Sequence, residues 1–365
     1  MKNVYNLYDF GAVGDGMTDD SQALHDAIEV SLKRTLGCVL IPPGDYYCPR
    51  LPKDYSVNEF TSLSFMGYGS NVSRLFLESG LNLRLSQNGI HQAEGLTISD
   101  IGIHAANPDS GTALTISYGN PTISNEHYVV GPRIRGVSIV SGEGDAWGNG
   151  ILLEGVWNPT LDDVFISGSS AGGNWNNMRG IGVELRGMCV NAHLSNVRTN
   201  FWATGLLAHG IRNNKNTEGI FCSNCDMVGV QRGVWLAGDA SITGAPRIHT
   251  LNWTGGMIEN RVGGVTGGSA AFHLQDVWGV SIVGCTMLTE TWDCPTTSYA
   301  VIAQDCRRVA VSSCDITAYH EGIYTTGACK AMSVIGNTFA AIKNGRPVAF
   351  NDGCVGCVEG FNTVE

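Results

Sequence analysis

The sequence predicts an all-β chain, a parallel β-helix with a short N-terminal capping helix. Short runs of two or three branched or aliphatic residues, framed by Gly, Asn, Asp or Cys, recur along it. They include GLTIS at 95, GVSIV at 136, DVFIS at 163, NVRTN at 196, CDMVG at 225, GMIEN at 256, CTMLT at 285, CDITA at 314, NTFAA at 337 and NTVE at 362. From 137 onward these runs fall 23 to 33 residues apart. Between them lie second alternating segments: GILLEG at 150, GIGVELRG at 180, GLLAHG at 205, GVWLAG at 233 and AAFHLQD at 270. Each segment has the two-residue period and turn-forming borders of a strand. Their repetition without long helical patterns is the mark of a solenoid whose coils bury their faces on one another. A β-propeller, with four strands per blade, is the alternative architecture.

The composition fits such a stack. Inward positions form columns of like residues, so Val, Ile, Leu and Cys repeat at equivalent sites, Asn bonds between coils at the turns, and Gly supplies left-handed corners. Lys plus Arg number 22 and Asp plus Glu 33, a net charge of −11, which argues against nucleic acid as a partner. Charged residues are only 15% of the chain while Gly numbers 48, a surface suited to neutral, hydroxyl-rich ligands. No apolar run is long enough for a membrane span and no secretory signal core opens the chain. The twelve cysteines read as small, reduced core residues. A zinc site would need the pairs Cys222/Cys225 and Cys354/Cys357 brought together across the chain. No cofactor or metal is expected.

The opening YDFGAVGDGMTDDSQALHDAIEV, residues 8 to 30, reads as a cap. YNLYDFG is a first strand. Thr18 or Asp19 is the expected N-cap, with Gln22 as capping-box partner of Asp19. Ala23, Leu24, Ala27, Ile28 and Leu32 share one helical face, which can cover the open end of a solenoid. The acidic GDGMTDD would repel a phosphate and lacks the Lys of a Walker loop. The expected organisation is strand, helix and first coil over 1–50, then coils over 51–365 with loop excursions at 141–150 and 169–180.

DFGAVGDGMTDD at 9–20, SQALHDAI at 21–28 and GCVLIPPGDYY at 37–47 resemble the N-terminal signature of the pectate-lyase-like superfamily, including bacteriophage tailspikes and related polysaccharide depolymerases. The resemblance covers roughly the first 50 residues and, beyond them, only the coil pattern. It implies a right-handed, single-stranded parallel β-helix, commonly a homotrimer, and in phage members a spike that binds and cuts capsule, exopolysaccharide or lipopolysaccharide. Other members are pectate lyases or polygalacturonases. As read, the sequence opens directly on the signature, with no particle-binding domain ahead of it. It stops at NTVE within the coil pattern, with no separate C-terminal trimerisation domain, as a fragment or an unusually bare member would.

Glycosidic hydrolysis needs two carboxylates, about 5 to 5.5 Å apart for retention and 6.5 to 9.5 Å for inversion. Equivalent positions on adjacent coils supply that spacing. Glu259 in GGMIENR and Glu290 in MLTETWDCP are about one coil apart, with Asp293 three residues on. Some phage endorhamnosidase tailspikes look similar, with one Glu followed a coil later by two Asp; here Glu290 stands for the first Asp. The expected catalytic group is Glu259, Glu290 and Asp293. Glu290 or Asp293 would act as general acid while its partner, or Glu259, activates water. One carboxylate would be held protonated by burial or by its like-charged neighbours. Trp253 and Trp292 are the expected sugar platforms, and Arg261 would bind an anionic sugar or steady a carboxylate. A second candidate rim is Glu143, Asp145, Trp147, Trp175 and Arg179, in the two Gly- and Asn-rich excursions. Outward carboxylates on a solenoid are otherwise simply solvated.

The expected function is a tailspike-like depolymerase acting outside the host cell from a virion tail fibre or spike, hydrolysing a bacterial surface polysaccharide. A polysaccharide lyase on the same fold would instead use Lys, Arg, His or Tyr as base, and His320, Tyr319 and Arg308 are too scattered in sequence to specify one. A non-catalytic carbohydrate-binding or structural spike is the third reading.

Overall fold

The computed structural model describes residues 3–52, 54–57, 62–85, 95–118, 131–142, 146–168, 178–210, 217–238, 248–261, 268–289 and 298–365. The chain is an all-β parallel solenoid, with one α-helix among the described residues. It divides into two compact units, 1–169 and 170–365. In each, the strands form three parallel ladders visited in turn by every coil.

In the first unit, the first ladder holds Tyr55–Val57, Leu81–Leu85, Thr112–Tyr118 and Asn149–Glu154. The second runs from Asn3–Asn6 through Leu36–Leu40, Ser62–Met66 and Thr97–Ser99 into the first half of Arg133–Val140. The third stacks Asp15–Asp19, Gly44–Cys48, Ser73–Leu77, Gly102–Ala105 and the second half of Arg133–Val140. Where register holds from strand to strand, inward side chains form columns. Tyr46, Leu75, Ile103, Ile139 and Ile166 are successive partners, and each is essentially without exposure.

The helix α1, Ser21–Leu32, buries Ala23, Leu24, Ala27 and Ile28, while Leu32 is half-buried. It lies so close to the strand Leu36–Leu40 that a Cβ on Gly37 would fall 2.3 Å from the Ser31 carbonyl oxygen. The expected cap is corrected here. Asp20 is the N-cap and its side chain makes no capping bond. Its carboxylate turns back instead to accept the N–H groups of Val13 at 2.7 Å and Gly14 at 3.0 Å. Asp19 Oδ1 accepts the Ser21 N–H at 3.0 Å, Thr18 donates its hydroxyl to Asp15, and Gln22 reaches Asp26 rather than closing a box. The acidic signature thus ties down a tight backbone whose N–H groups need acceptors.

In the second unit the first ladder holds Ile181–Arg186, Thr204–His209, Arg232–Ala237, Ser269–Gln275, Ser298–Gln304, Glu321–Thr326 and Val348–Ala349. The second and third ladders repeat likewise, and their junction opens on a left-handed residue, followed at one corner by a second, Gly256. Asn196, Asn224, Gly255, Gly284, Ser313, Gly336 and Phe361 occupy the opening position with φ from 50° to 68°. Gly and Asn enter that region most readily. The following position supplies the inter-coil bonding. Cys225 donates its thiol to the Leu194 carbonyl. Asn337 donates Nδ2 to the Val311 carbonyl and accepts the Cys314 N–H at 3.0 Å. All of the described cysteines are free thiols, and only Cys354 and Cys357 are not buried.

Candidate active site on the second unit

Three clusters of charged side chains sit on the outer faces of the second unit. The first surrounds Glu259, in the strand Met257–Asn260 of the third ladder. Ile258 and Asn260 are fully buried, so the alternating pleat aims Glu259 outward. Its Oε1 lies 4.0 Å from Arg261 Nε, both side chains being less than one-fifth exposed. The Arg261 guanidinium rests over the Phe201 ring at 5.8 Å. Between the two, buried Asn260 donates Nδ2 to the carbonyls of Val230, Gln231 and Ala270 and accepts the Tyr319 hydroxyl at 2.7 Å. This network ties the strand end to its neighbouring coils.

The register pairs Glu259 with Leu288 and Asn260 with Thr289. Glu290, Trp292 and Asp293 fall in 290–297, outside the described residues. Glu143, Asp145 and Trp175 also lie outside them.

One expected sugar platform and one expected rim residue are interior. Trp253 is fully buried; it occupies the inward column between Cys222 and Ile282. Its indole N–H donates to the Gly255 carbonyl at 2.8 Å and its ring meets Phe272 edge-on at 5.3 Å. Trp147 is 3% exposed, and its indole N–H has no acceptor among the described residues. Neither ring presents a face to a ligand in this conformation. The signal for Trp253 was available in sequence: Leu251 and Trp253 flank the polar Asn252, so the tryptophan shares the parity of the core.

The second cluster escaped the sequence reading. On the first ladder, Val183 and Leu185 point inward and Glu184 outward, yet Glu184 is only 2% exposed. Its Oε1 accepts from Arg186 Nε at 2.9 Å and Nη2 at 2.8 Å, and from His209 Nε2 at 2.7 Å. Burial pushes the Glu184 carboxyl up, but the hydrogen bonds from His209 and Arg186 outweigh it and leave the group below its usual value. An ionised Glu184 can only accept, so His209 donates through Nε2 in this contact. The segments GIGVELRG and GLLAHG, in phase one coil apart, carried that signal.

Farther along the same face, Arg232 lies over Trp235 at 4.6 Å and Trp235 stacks on His273 at 5.7 Å. Burial first, then Arg232, lowers His273 to about 4, so the imidazole is neutral. The third cluster is Glu321 with Asn344, Arg346 and the stacked pair Tyr299–Tyr324. Among the described residues no three His, Cys, Asp or Glu side chains converge as a metal site. No described helix is long and apolar enough to cross a membrane, which says nothing of β-barrels.

The model of the rhamnogalacturonase A/epimerase, pectate lyase-like family matches residues 4–258. The chain belongs to that family. Over 42 residues it is 50% identical to alginate lyase 7 of Azotobacter vinelandii, a match covering 12% of this chain and 5% of the lyase. Among solved structures, the catalytic unit of a GH87 α-1,3-glucanase from Streptomyces thermodiastaticus aligns with 100% of this chain and 66% of its own, at TM-score 0.55 and 15% identity. A mutant tailspike protein of E. coli bacteriophage HK620, in complex with pentasaccharide, aligns at TM-score 0.63 and 11% identity, over 98% of this chain and 75% of its own. At these identities the structures show a common fold, and the chain spans about two-thirds of the glucanase unit.

Proposed function

We propose that the protein depolymerises a bacterial surface polysaccharide (capsule, exopolysaccharide or O-antigen) by hydrolysis, using Glu259 as one of two paired carboxylates. The observation that carries this reading is the register at the strand end. Thr289, immediately before Glu290, pairs with Asn260, immediately after Glu259. Glu290 or Asp293 is the proposed partner. The acid protonates the glycosidic oxygen while the base activates water on the opposite face of the sugar. The guanidinium 4.0 Å from Glu259 suits it to the base role, which requires the charged form. The pentasaccharide-bound tailspike of like fold supports a polysaccharide ligand, a virion-spike location and, by analogy with such spikes, a homotrimer.

A second reading rests on Glu184, His209 and Arg186. A carboxylate-held imidazole beside a guanidinium is equipped to remove the proton next to a uronate carboxylate, the chemistry of a lyase. The short match to an alginate lyase agrees with it.

The test is a panel of purified capsules, exopolysaccharides and O-chains, followed by chain length and by the ultraviolet absorbance of unsaturated uronate. Shortening without absorbance is the expected result. Shortening with absorbance transfers the chemistry to His209, and retention of a polymer without cleavage on any panel member leaves a binding spike.

A further inference from the structure

Glu321 opens a strand of the first ladder and pairs in register with Tyr299 on the preceding coil. Its side chain is 8% exposed. Both of its donors serve one oxygen: Asn344 Nδ2 and Arg346 Nη2 each lie 2.8 Å from Oε1. Oε2 is buried and accepts no hydrogen bond among the described residues. A buried acceptor left unmade costs about 1–3 kcal/mol, more when charged. An acceptor buried at such a cost points to a missing donor. Beside it the Tyr299 and Tyr324 rings stack 5.4 Å apart at 28°, both half-exposed. Arg346, although bonded to Oε1, has a side chain 57% exposed, so its displacement into solvent would open the carboxyl group to a ligand.

We propose that Glu321, Tyr299 and Tyr324 form a saccharide-binding subsite that takes a neutral pyranose. One hydroxyl of the sugar donates to Glu321 Oε2, and the C–H face of the ring lies against the tyrosines. The pairing of an apolar ring surface with one charged acceptor matches a neutral sugar, which offers C–H faces and hydroxyl donors together. The subsite lies five ladder steps from Glu184, about 24 Å at about 4.8 Å per step, so it would hold a chain remote from that carboxylate. This inference rests on the carbohydrate half of the proposed function and on neither mechanism.

The experiment uses the full chain with carbon-13 labelled tyrosine, titrated with the methyl glycosides of rhamnose, galactose and glucose while tyrosine ring resonances are followed. Shifts of Tyr299 and Tyr324 with at least one glycoside are expected. Glu321→Gln should weaken that binding about tenfold or more, the usual worth of a charge-assisted bond. Tyr324→Ala should abolish it, while Tyr324→Phe should keep it. No shift with any of the three glycosides, or unchanged affinity in both Glu321→Gln and Tyr324→Ala, would overturn the subsite. Polymer cleavage without tyrosine shifts defeats the subsite alone. Tyrosine shifts without cleavage of any polymer defeat the depolymerase reading and leave the subsite standing.

Discussion

At Glu184, burial opposes the charge and the His209 and Arg186 hydrogen bonds favour it, with the bonds prevailing. A carboxyl depressed in the folded state stabilises most above its unfolded value, about 4.3, and loses that contribution as pH falls through the folded value. Thermal melts of Glu184→Gln against wild type should therefore differ most near neutrality and converge in acid. His104 and His273 act in a different window. Burial, helped by Arg74 and Arg232 respectively, takes both from 6.5 to about 4. The unfolded chain alone binds these protons between the two values, so their contribution is full above 6.5 and falls as pH drops toward about 4. His273→Gln should flatten part of that slope in the melting temperature. Trp253→Ala should cost about 3–5 kcal/mol in denaturant melts, because it empties a fully buried site. A loss confined to sugar binding would contradict its interior placement.

The coil corners and the cap belong to the element scale. Gly256, at φ 74°, has the Cys225 carbonyl oxygen 2.0 Å from where a Cβ would sit. Gly256→Ala adds that overlap to about 1–2 kcal/mol of left-handed strain, and should lower the melting temperature more than any exposed Gly→Ala change. Asn337→Ala strands the Cys314 N–H and the Val311 carbonyl; about 1–3 kcal/mol is expected from the same melts. These elements were largely legible. The two-residue period, the recurring Gly or Asn corner and the Cys and Asn that follow it are local signals that stacking turns into columns. Helix α1 was legible in its face and not in its cap, because Asp20 serves N–H groups six and seven residues behind it rather than those ahead. Glu184 was missed for a related reason. Its partner His209 is a full coil away, and only register reveals that they meet. Glu259 stood out in the sequence as a carboxylate within a short apolar strand, yet nothing local to it names a partner.

For the whole molecule, stability rests on columns of like residues in register, with no disulfide among the described cysteines. Melting temperature should accordingly be the same with and without reductant. On its stacked strands the second unit sets Glu259 with Arg261, Glu184 with His209, and Glu321 with its tyrosine pair. The proposed hydrolysis turns on Glu259. The most direct measurement is the initial rate of new reducing ends on a polymer the wild type shortens, for wild type, Glu259→Gln and Glu184→Gln, with bound polymer measured in parallel. A fall of about a hundredfold or more in Glu259→Gln alone, with binding retained, is the predicted result. An unchanged rate in Glu259→Gln, or a comparable fall in Glu184→Gln only, would contradict it.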